Sequence, residues 1–358
     1  MMLKNQNIMF FTRTMQLGGT ENVILQLCEV FKPLVNKVVV CSHGGVNEEK
    51  LKEMGIKHFE IGDLEDKRLF SIIHNCHIIR RIVKEENITV IHTHHRMAAF
   101  YVRFLGLYKK CHFINTSHNT FANYRLLTRY AYKKANLIAC GEMVKKNLVD
   151  VFGLDKVVVI HNAVKPFDGN IISDPELKKA KEEGLFLIGN IGRLSKQKGM
   201  EYFIQAVPDV MKKHPKVRLY IVGSGEDEEK LKRMSRDLPI VFMGYRTDIQ
   251  SLMSQLDLIV LSSLWEGLPL TPIEAFSVGK TIVATGVDGT VEIVKNNKNG
   301  LIVEPKSAET IATAINYLID NKAERKRLET EAIKTFRNCF SFEKLKKDYV
   351  KFYLNLCE

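Results

Sequence analysis

The chain has a single tryptophan among 358 residues and no apolar run of the roughly 18 residues that a membrane-spanning helix needs. Any contact with a bilayer is therefore expected to be peripheral. Cysteine is scattered: Cys28, Cys41, Cys76, Cys111, Cys140, Cys339 and Cys357 make an odd set of seven without a CxxC pair. That pattern argues against a zinc or disulfide framework and for reduced thiols in the cytoplasm. The stretch Met1-Met2-Leu3-Lys4-Asn5-Gln6-Asn7 leads directly into a strand-like run and lacks a signal-peptide core, which gives the same expectation. The run His92-Thr93-His94-His95-Arg96 has no carboxylate or Cys nearby at ligand spacing, so neither a metal nor a cofactor is expected. Aromatic RNA-binding motifs, helix-turn-helix signatures, repeats and low-complexity tracts are also missing, and nucleic acid is not an expected partner.

What is present is ordinary globular composition, 45% apolar and 26% charged, in a chain long enough for two domains. The net charge of +12 is uneven. Residues 1–165 hold 16 Lys and 8 Arg against 14 acidic residues, and ten of the eleven His. A basic half suits an anionic membrane face or a phosphorylated substrate, and a solvated lysine-rich surface accounts for it equally.

Strand-like runs alternate with helical patterns throughout, the signature of βαβ units and of parallel sheets covered on both faces. In the first half, strands are expected at 8–11, 37–41, 57–61, 88–91, 112–115, 137–140 and 157–160, with helical patterns including 20–31, 69–84, 125–134 and 142–151. The pattern breaks over 164–184. It resumes with strands at 185–191, 217–222, 240–243, 258–261, 281–284 and 300–303, between helices at 200–213, 226–236, 248–255 and 272–278. The tail from Ser307 is almost wholly helical, interrupted at Phe340-Ser341-Phe342, after which Lys344 to Leu356 can pack back on the first domain. The expected fold is α/β: two doubly wound Rossmann-like domains facing across a cleft, residues 1–164 with 341–358 and residues 165–340.

Five strand ends carry residue types suited to an anionic ligand. Thr14-Met15-Gln16-Leu17-Gly18-Gly19-Thr20-Glu21 joins the first strand to the first helix, where Gly18 and Gly19 let backbone amides approach a phosphate. A tight turn with Thr20 as N-cap explains the same loop. It does not match G-x-G-x-x-G, which disfavours a nicotinamide-binding domain. His118 ends the strand Ile114-Asn115-Thr116-Ser117. Arg193 and Lys198 lie on a glycine-flanked loop and could clamp a diphosphate, Arg by a fork and Lys as a point charge. Gly244-Tyr245-Arg246 ends a further strand, where backbone groups could read a flat base.

The most informative stretch is Ser263-Leu264-Trp265-Glu266-Gly267-Leu268-Pro269-Leu270-Thr271-Pro272-Ile273-Glu274-Ala275. It follows a buried-strand run and opens a helix, with Thr271 the expected N-cap and Pro272 the first helical residue. Thr271-x-x-Glu274 also fits a capping box, which would give Glu274 a purely structural role; Glu266, outside the helix, has no such explanation.

In this order the motifs resemble family 4 of the retaining glycosyltransferases, which have the GT-B fold. The glycine loop, His118, Arg193 with Lys198 and the E-x7-E pair Glu266/Glu274 carry the resemblance, which spans essentially the whole chain. Val159-Ile160-His161-Asn162-Ala163-Val164 is similar to the segment that closes the first domain, with Ala163 where glycine is usual. The resemblance implies retention without a metal, a nucleotide-sugar donor, most often a UDP-sugar, and a saccharide or lipid-linked acceptor met at the inner membrane face. It implies that Arg193 and Lys198 hold the diphosphate, Glu274 bonds the ribose, and Glu266 and His118 lie near the transferred sugar. Gly18, Gly19, Gly267, Leu268, Leu270 and Thr271 would line the donor, and Tyr245 with Arg246 would flank the base. A nucleotide-sugar 2-epimerase of the same architecture, or a binding protein without catalysis, remains the alternative.

Overall fold

A computed structural model describes residues 2–357 of the chain. The described residues form two compact units. One runs through Asn162 and regains the chain from Leu345; the other is Ala163–Lys344.

The first unit contains a seven-stranded sheet: β1 (Asn7–Phe11), β2 (Lys37–Ser42), β3 (Lys57–Glu60), β4 (Val90–Thr93), β5 (His112–Ser117), β6 (Asn136–Ala139) and β7 (Val157–Val159). All its pairings are parallel, in the order β3-β2-β1-β4-β5-β6-β7. The central strands β1 and β4 are buried along their whole length, as expected of strands covered on both faces. The helix Arg96–Phe104 has no counterpart among the expected helices: Met97, Ala98, Ala99 and Phe100 read as a short apolar run without a clear period. The last helix, Phe342–Cys357, enters this unit and buries Tyr349 and Tyr353 in its core.

The second unit contains β8 (Phe186–Ile191), β9 (Val217–Val222), β10 (Ile240–Phe242), β11 (Leu258–Leu261), β12 (Ile282–Thr285) and β13 (Leu301–Val303), again all parallel, in the order β10-β9-β8-β11-β12-β13. Its core packs the helix Met200–Lys213 and the helix Ala308–Asp320 against the sheet, with Phe203, Ile204, Val207, Ile311 and Ile315 pointing inward.

In each sheet the strand order reverses once, between β1 and β4 and between β8 and β11. Loops leaving the carboxyl ends of the two strands at such a point diverge to opposite faces, and ligands of open α/β sheets bind in the opening. The loops that follow β1, β4, β8 and β11 hold Gly18, His94, Lys198 and Glu266.

Candidate active site

In the second unit, the loop after β8 and the loop after β11 are stitched together before any side chain of the pair meets. Leu264 N donates to Gln197 O at 2.8 Å, and Ser262 Oγ donates to Lys198 O at 3.0 Å. Gly199 lies between them in the left-handed region (φ 53°), where a Cβ would stand 2.4 Å from Ser262 O. Only glycine allows both that conformation and that approach. The result is a short 3₁₀ turn, Lys196–Lys198, which aims Lys198 at the loop after β11.

Lys198 Nζ donates to Glu266 Oε1 at 2.6 Å, and Ser263 Oγ donates to the same oxygen at 2.7 Å. Glu266 is buried, and its own N–H donates to Asp288 Oδ2 at 3.1 Å. The turn carrying Asp288 is packed so closely that a Cβ on Gly289 would stand 1.7 Å from Gly267 O. Glu274 is half-buried one helical turn further on. Burial pushes its carboxyl up to about 7, against the pull of the Lys198 charge. One cation thus acts on both carboxylates of the E-x7-E pair.

One local expectation is corrected here. The helix is Leu270–Ser277, with Pro269 at the N-cap and no side-chain cap, so the capping box of Thr271 and Glu274 does not form. Thr271 lies inside the first turn, and its hydroxyl donates to Ile191 O at 3.3 Å, tying the helix start to the end of β8. The buried carbonyl needs a donor and takes the hydroxyl out of competition for a cap. Gly267 and Leu268 are buried, and Leu270 is half-buried at the helix start. Arg246 is held by side chains of its own unit. Its guanidinium donates to Asp248 at 2.7 and 2.6 Å and to Asp174 at 2.7 Å, and Asp174 also caps the helix Pro175–Glu182. The guanidinium is thereby held between two carboxylates. Tyr245 beside it is exposed, as is Arg193 on the loop after β8.

The first unit assembles a different group. Gly18 is the N-cap of the helix Gly19–Phe31; Thr20, an alternative N-cap in the sequence, is inside that helix. His118, half-buried just beyond β5, meets His94 beyond β4, with Nε2 of the former 3.0 Å from Nδ1 of the latter. His94 stacks in turn on His92, ring centroids 4.3 Å apart. The His92 ring is held at both nitrogens, by Tyr353 Oη at 2.7 Å and Thr116 Oγ1 at 2.8 Å. Burial keeps His92 and His94 well below the ordinary imidazole range and lowers His118 to about 4, so all three are neutral near pH 7.

Two family models match the chain. Residues 17–166 match Glycosyltransferase Family 4, and residues 174–335 match Glycosyl transferases group 1. The chain superposes on the crystal structure of Anabaena HepE in complex with UDP-glucose with a TM-score of 0.81, at 21% identity, over 98% of this chain and 100% of that one. The protein has the GT-B fold of glycosyltransferases. Among curated proteins, this GT-B chain is 28% identical over 236 residues to an uncharacterized glycosyltransferase of Methanocaldococcus jannaschii, covering 62% of this chain and 60% of that protein. It is also 28% identical over 180 residues to the Escherichia coli UDP-Gal:alpha-D-GlcNAc-diphosphoundecaprenol alpha-1,3-galactosyltransferase, covering 48% of this chain and 46% of that protein. The matches thus span about six tenths or less of the length of these relatives.

Some residues of the GT-B chain's candidate site gave no usable signal in the sequence. Ser263, Asp288 and Gln197 each contact the Glu266 loop, at 2.7 Å, 3.1 Å and, from Gln197 Nε2 to Trp265 O, 3.0 Å. Asp288 stands next to Gly289, a pair that in a sequence signals no more than a turn. Its φ of 33°, uncommon outside glycine, marks it in the structure. Likewise His92 and His94 read as a strand-end cluster with no stated partner.

Proposed function

We propose that the protein is a retaining, metal-independent glycosyltransferase. It moves a sugar from a nucleotide-sugar donor, in the first place a UDP-sugar, to a hydroxyl of a saccharide or lipid-linked saccharide. The observation that carries the reading is that Lys198 is ion-paired with Glu266 at 2.6 Å while its charge also acts on Glu274. A cation paired with one carboxylate and acting on a second beside a helix start is suited to a ligand with a diphosphate in the middle, a sugar at one end and a ribose at the other.

Breaking the bond between the sugar C1 and the diphosphate oxygen sends the electron pair to the phosphate. Lys198, Arg193 and the N–H groups opening the helix Leu270–Ser277 answer that charge, with backbone amides at Gly267, Leu268 and Thr271 alongside. The acceptor oxygen bonds C1 from the same face, and its proton passes to the departing phosphate, which accounts for retention without an enzyme nucleophile. Glu266 orients the sugar, Glu274 takes the ribose hydroxyls and Tyr245 flanks the base. Within the first unit, Gly18, Gly19 and His118 follow β1 and β5, at the strand ends where open α/β sheets bind ligands. The UDP-glucose in the Anabaena structure and the diphosphoundecaprenol acceptor in the name of the E. coli relative support this choice of substrates.

No helix among the described residues is long and apolar enough to cross a membrane. For a lipid-linked acceptor we place the protein peripherally at the cytoplasmic membrane face, by way of the first unit. Residues 87–141 contain no Asp or Glu against four Lys and four Arg. Leu126, Tyr124, Phe104 and Tyr130 are exposed within that segment, and Arg103 stacks on Tyr108 and Tyr130. Such a surface suits anionic headgroups and their acyl boundary.

The test is to incubate the protein with a panel of nucleotide sugars and measure free nucleotide with and without a lipid-phosphate extract. Acceptor-dependent UDP release with retained anomeric configuration is expected. Inversion at C2 of a sugar still bound to its nucleotide would overturn the reading in favour of a 2-epimerase.

A further inference from the structure

Asn190 is the one polar side chain in β8 and β11, the two strands between which the order of the second sheet reverses. It is 1% exposed and lies opposite Val260. Ser262, just past the end of β11, is fully buried. Asn190 Nδ2 donates to Ser262 Oγ at 2.9 Å, and Ser262 Oγ donates to Lys198 O at 3.0 Å. The direction of this chain is fixed. A carbonyl only accepts, so the single hydroxyl proton of Ser262 goes to Lys198, and Ser262 can only accept from Asn190. The amide nitrogen of Asn190 therefore faces Ser262, which leaves Asn190 Oδ1 buried and without a hydrogen-bond partner among the described residues.

The sheet has little use for this arrangement. An apolar pair of similar size would fill the space without the cost of two buried polar groups, one of them with an unsatisfied oxygen. What the chain reaches is the 3₁₀ turn Lys196–Lys198. Ser262 holds that turn at two adjacent residues: its hydroxyl at Lys198 O, and its carbonyl against Gly199, where a Cβ would stand 2.4 Å away. The backbone bond from Leu264 N holds the residue before, at Gln197 O. Lys198 is thus fixed at its own carbonyl and at both neighbours, and its Nζ reaches Glu266 Oε1 at 2.6 Å. The bond to Lys198 O sets the peptide plane next to its Cα, and with it the direction in which the side chain leaves.

We infer that Asn190 and Ser262 are positioning residues for Lys198: the amide orients the Ser262 hydroxyl, and the hydroxyl holds the Lys198 carbonyl so that the ammonium group stays on Glu266. All four residues belong to the second unit. That the ammonium answers the charge of a departing diphosphate rests on the function proposed above; its placement by Ser262 does not.

The experiment uses the full chain carrying Ser262→Ala alone and Asn190→Val together with Ser262→Ala. Ser262→Ala leaves the Asn190 amide nitrogen unpaired in the interior, so it should unfold at lower urea than the wild type. The double variant removes both polar groups and should regain about half or more of that loss. Turnover should not follow stability. With a nucleotide sugar as substrate, kcat should fall about tenfold in both variants while KM changes by less than about threefold, because a misplaced Lys198 loses stabilisation of charge that develops as the bond breaks. A second readout needs no turnover: the coupling between Lys198→Ala and Glu266→Gln in urea unfolding should fall to about half or less when measured in the double variant. Wild-type kcat in the double variant overturns the inference, as does an unchanged coupling between Lys198 and Glu266. So does a double variant no more stable than Ser262→Ala, because the fold itself would then need the pair. If no nucleotide sugar is turned over at all, the glycosyltransferase reading fails, while the coupling still decides whether Asn190 and Ser262 position Lys198.

Discussion

Lys198 and Glu266, 68 residues apart, meet at 2.6 Å because the loops after β8 and β11 are joined by the backbone bond from Leu264 N to Gln197 O and by the Ser262 hydroxyl bonded to Lys198 O. Glu266 is 6% exposed, and its Oε1 accepts from both Lys198 Nζ and Ser263 Oγ. The pair is at once part of the fold and part of the proposed diphosphate site, and the two roles separate by experiment.

A double-mutant cycle of Lys198→Ala and Glu266→Gln, read by urea unfolding, should give a coupling of about 0.5–3 kcal/mol, since each residue is the other's nearest charge. Lys198→Ala alone should lower turnover by about two to three orders of magnitude, as removal of one preorganised charge stabiliser does. Turnover unchanged in Lys198→Ala would remove Lys198 from the site.

Glu274 predicts an opposite pH trend from that of a salt-bridged carboxylate. Its folded pKa, about 7, lies above the ordinary value of 4.5. Below the ordinary value both states hold the proton and the group has no effect. As pH rises through the interval, the unfolded chain loses its proton first, so the folded state binds more protons and stability falls. Above pH 7 the penalty is complete, about 1–3 kcal/mol after allowing for the partial exposure of the side chain. Glu274→Gln should therefore raise the Tm at pH 8 and leave it nearly unchanged at pH 4. An equal shift at both pH values would contradict the raised pKa.

Arg246→Met should reduce stability by about 1–3 kcal/mol, because Asp174 and Asp248 lose their shared cation in a largely buried setting. UDP affinity should change little. Trp265, the chain's one tryptophan, is next to Glu266, so its fluorescence gives the binding curve directly. A large loss of UDP affinity with normal stability would instead put Arg246 at the base site.

The alternating apolar runs are legible without a structure because a strand buried on both faces must be continuously apolar, and such strands joined by helices pair in parallel. The expected strands of both halves correspond to the strands found, with ends displaced by a few residues at most. The E-x7-E stretch was legible for a related reason: its glycine, two prolines and two glutamates sit within thirteen residues, and local chemistry sets their order. Thr271 was not legible. A free helix start would have used its hydroxyl as a cap, but the end of β8 offered it a buried carbonyl instead.

The sequence by itself determined the two α/β halves and the residue types at their strand ends, since both follow from periodicity and from neighbours a few positions apart. Tertiary structure alone decided which of those residues meet. Strand order brought Lys198 to Glu266, drew Arg246 onto Asp174, and set His94 between His118 and a ring held by Tyr353, 261 residues beyond His92. Such pairings depend on topology and burial, and burial is also what makes an imidazole neutral or raises a carboxyl. No local pattern carries that information, because the groups that bury a residue come from distant parts of the chain.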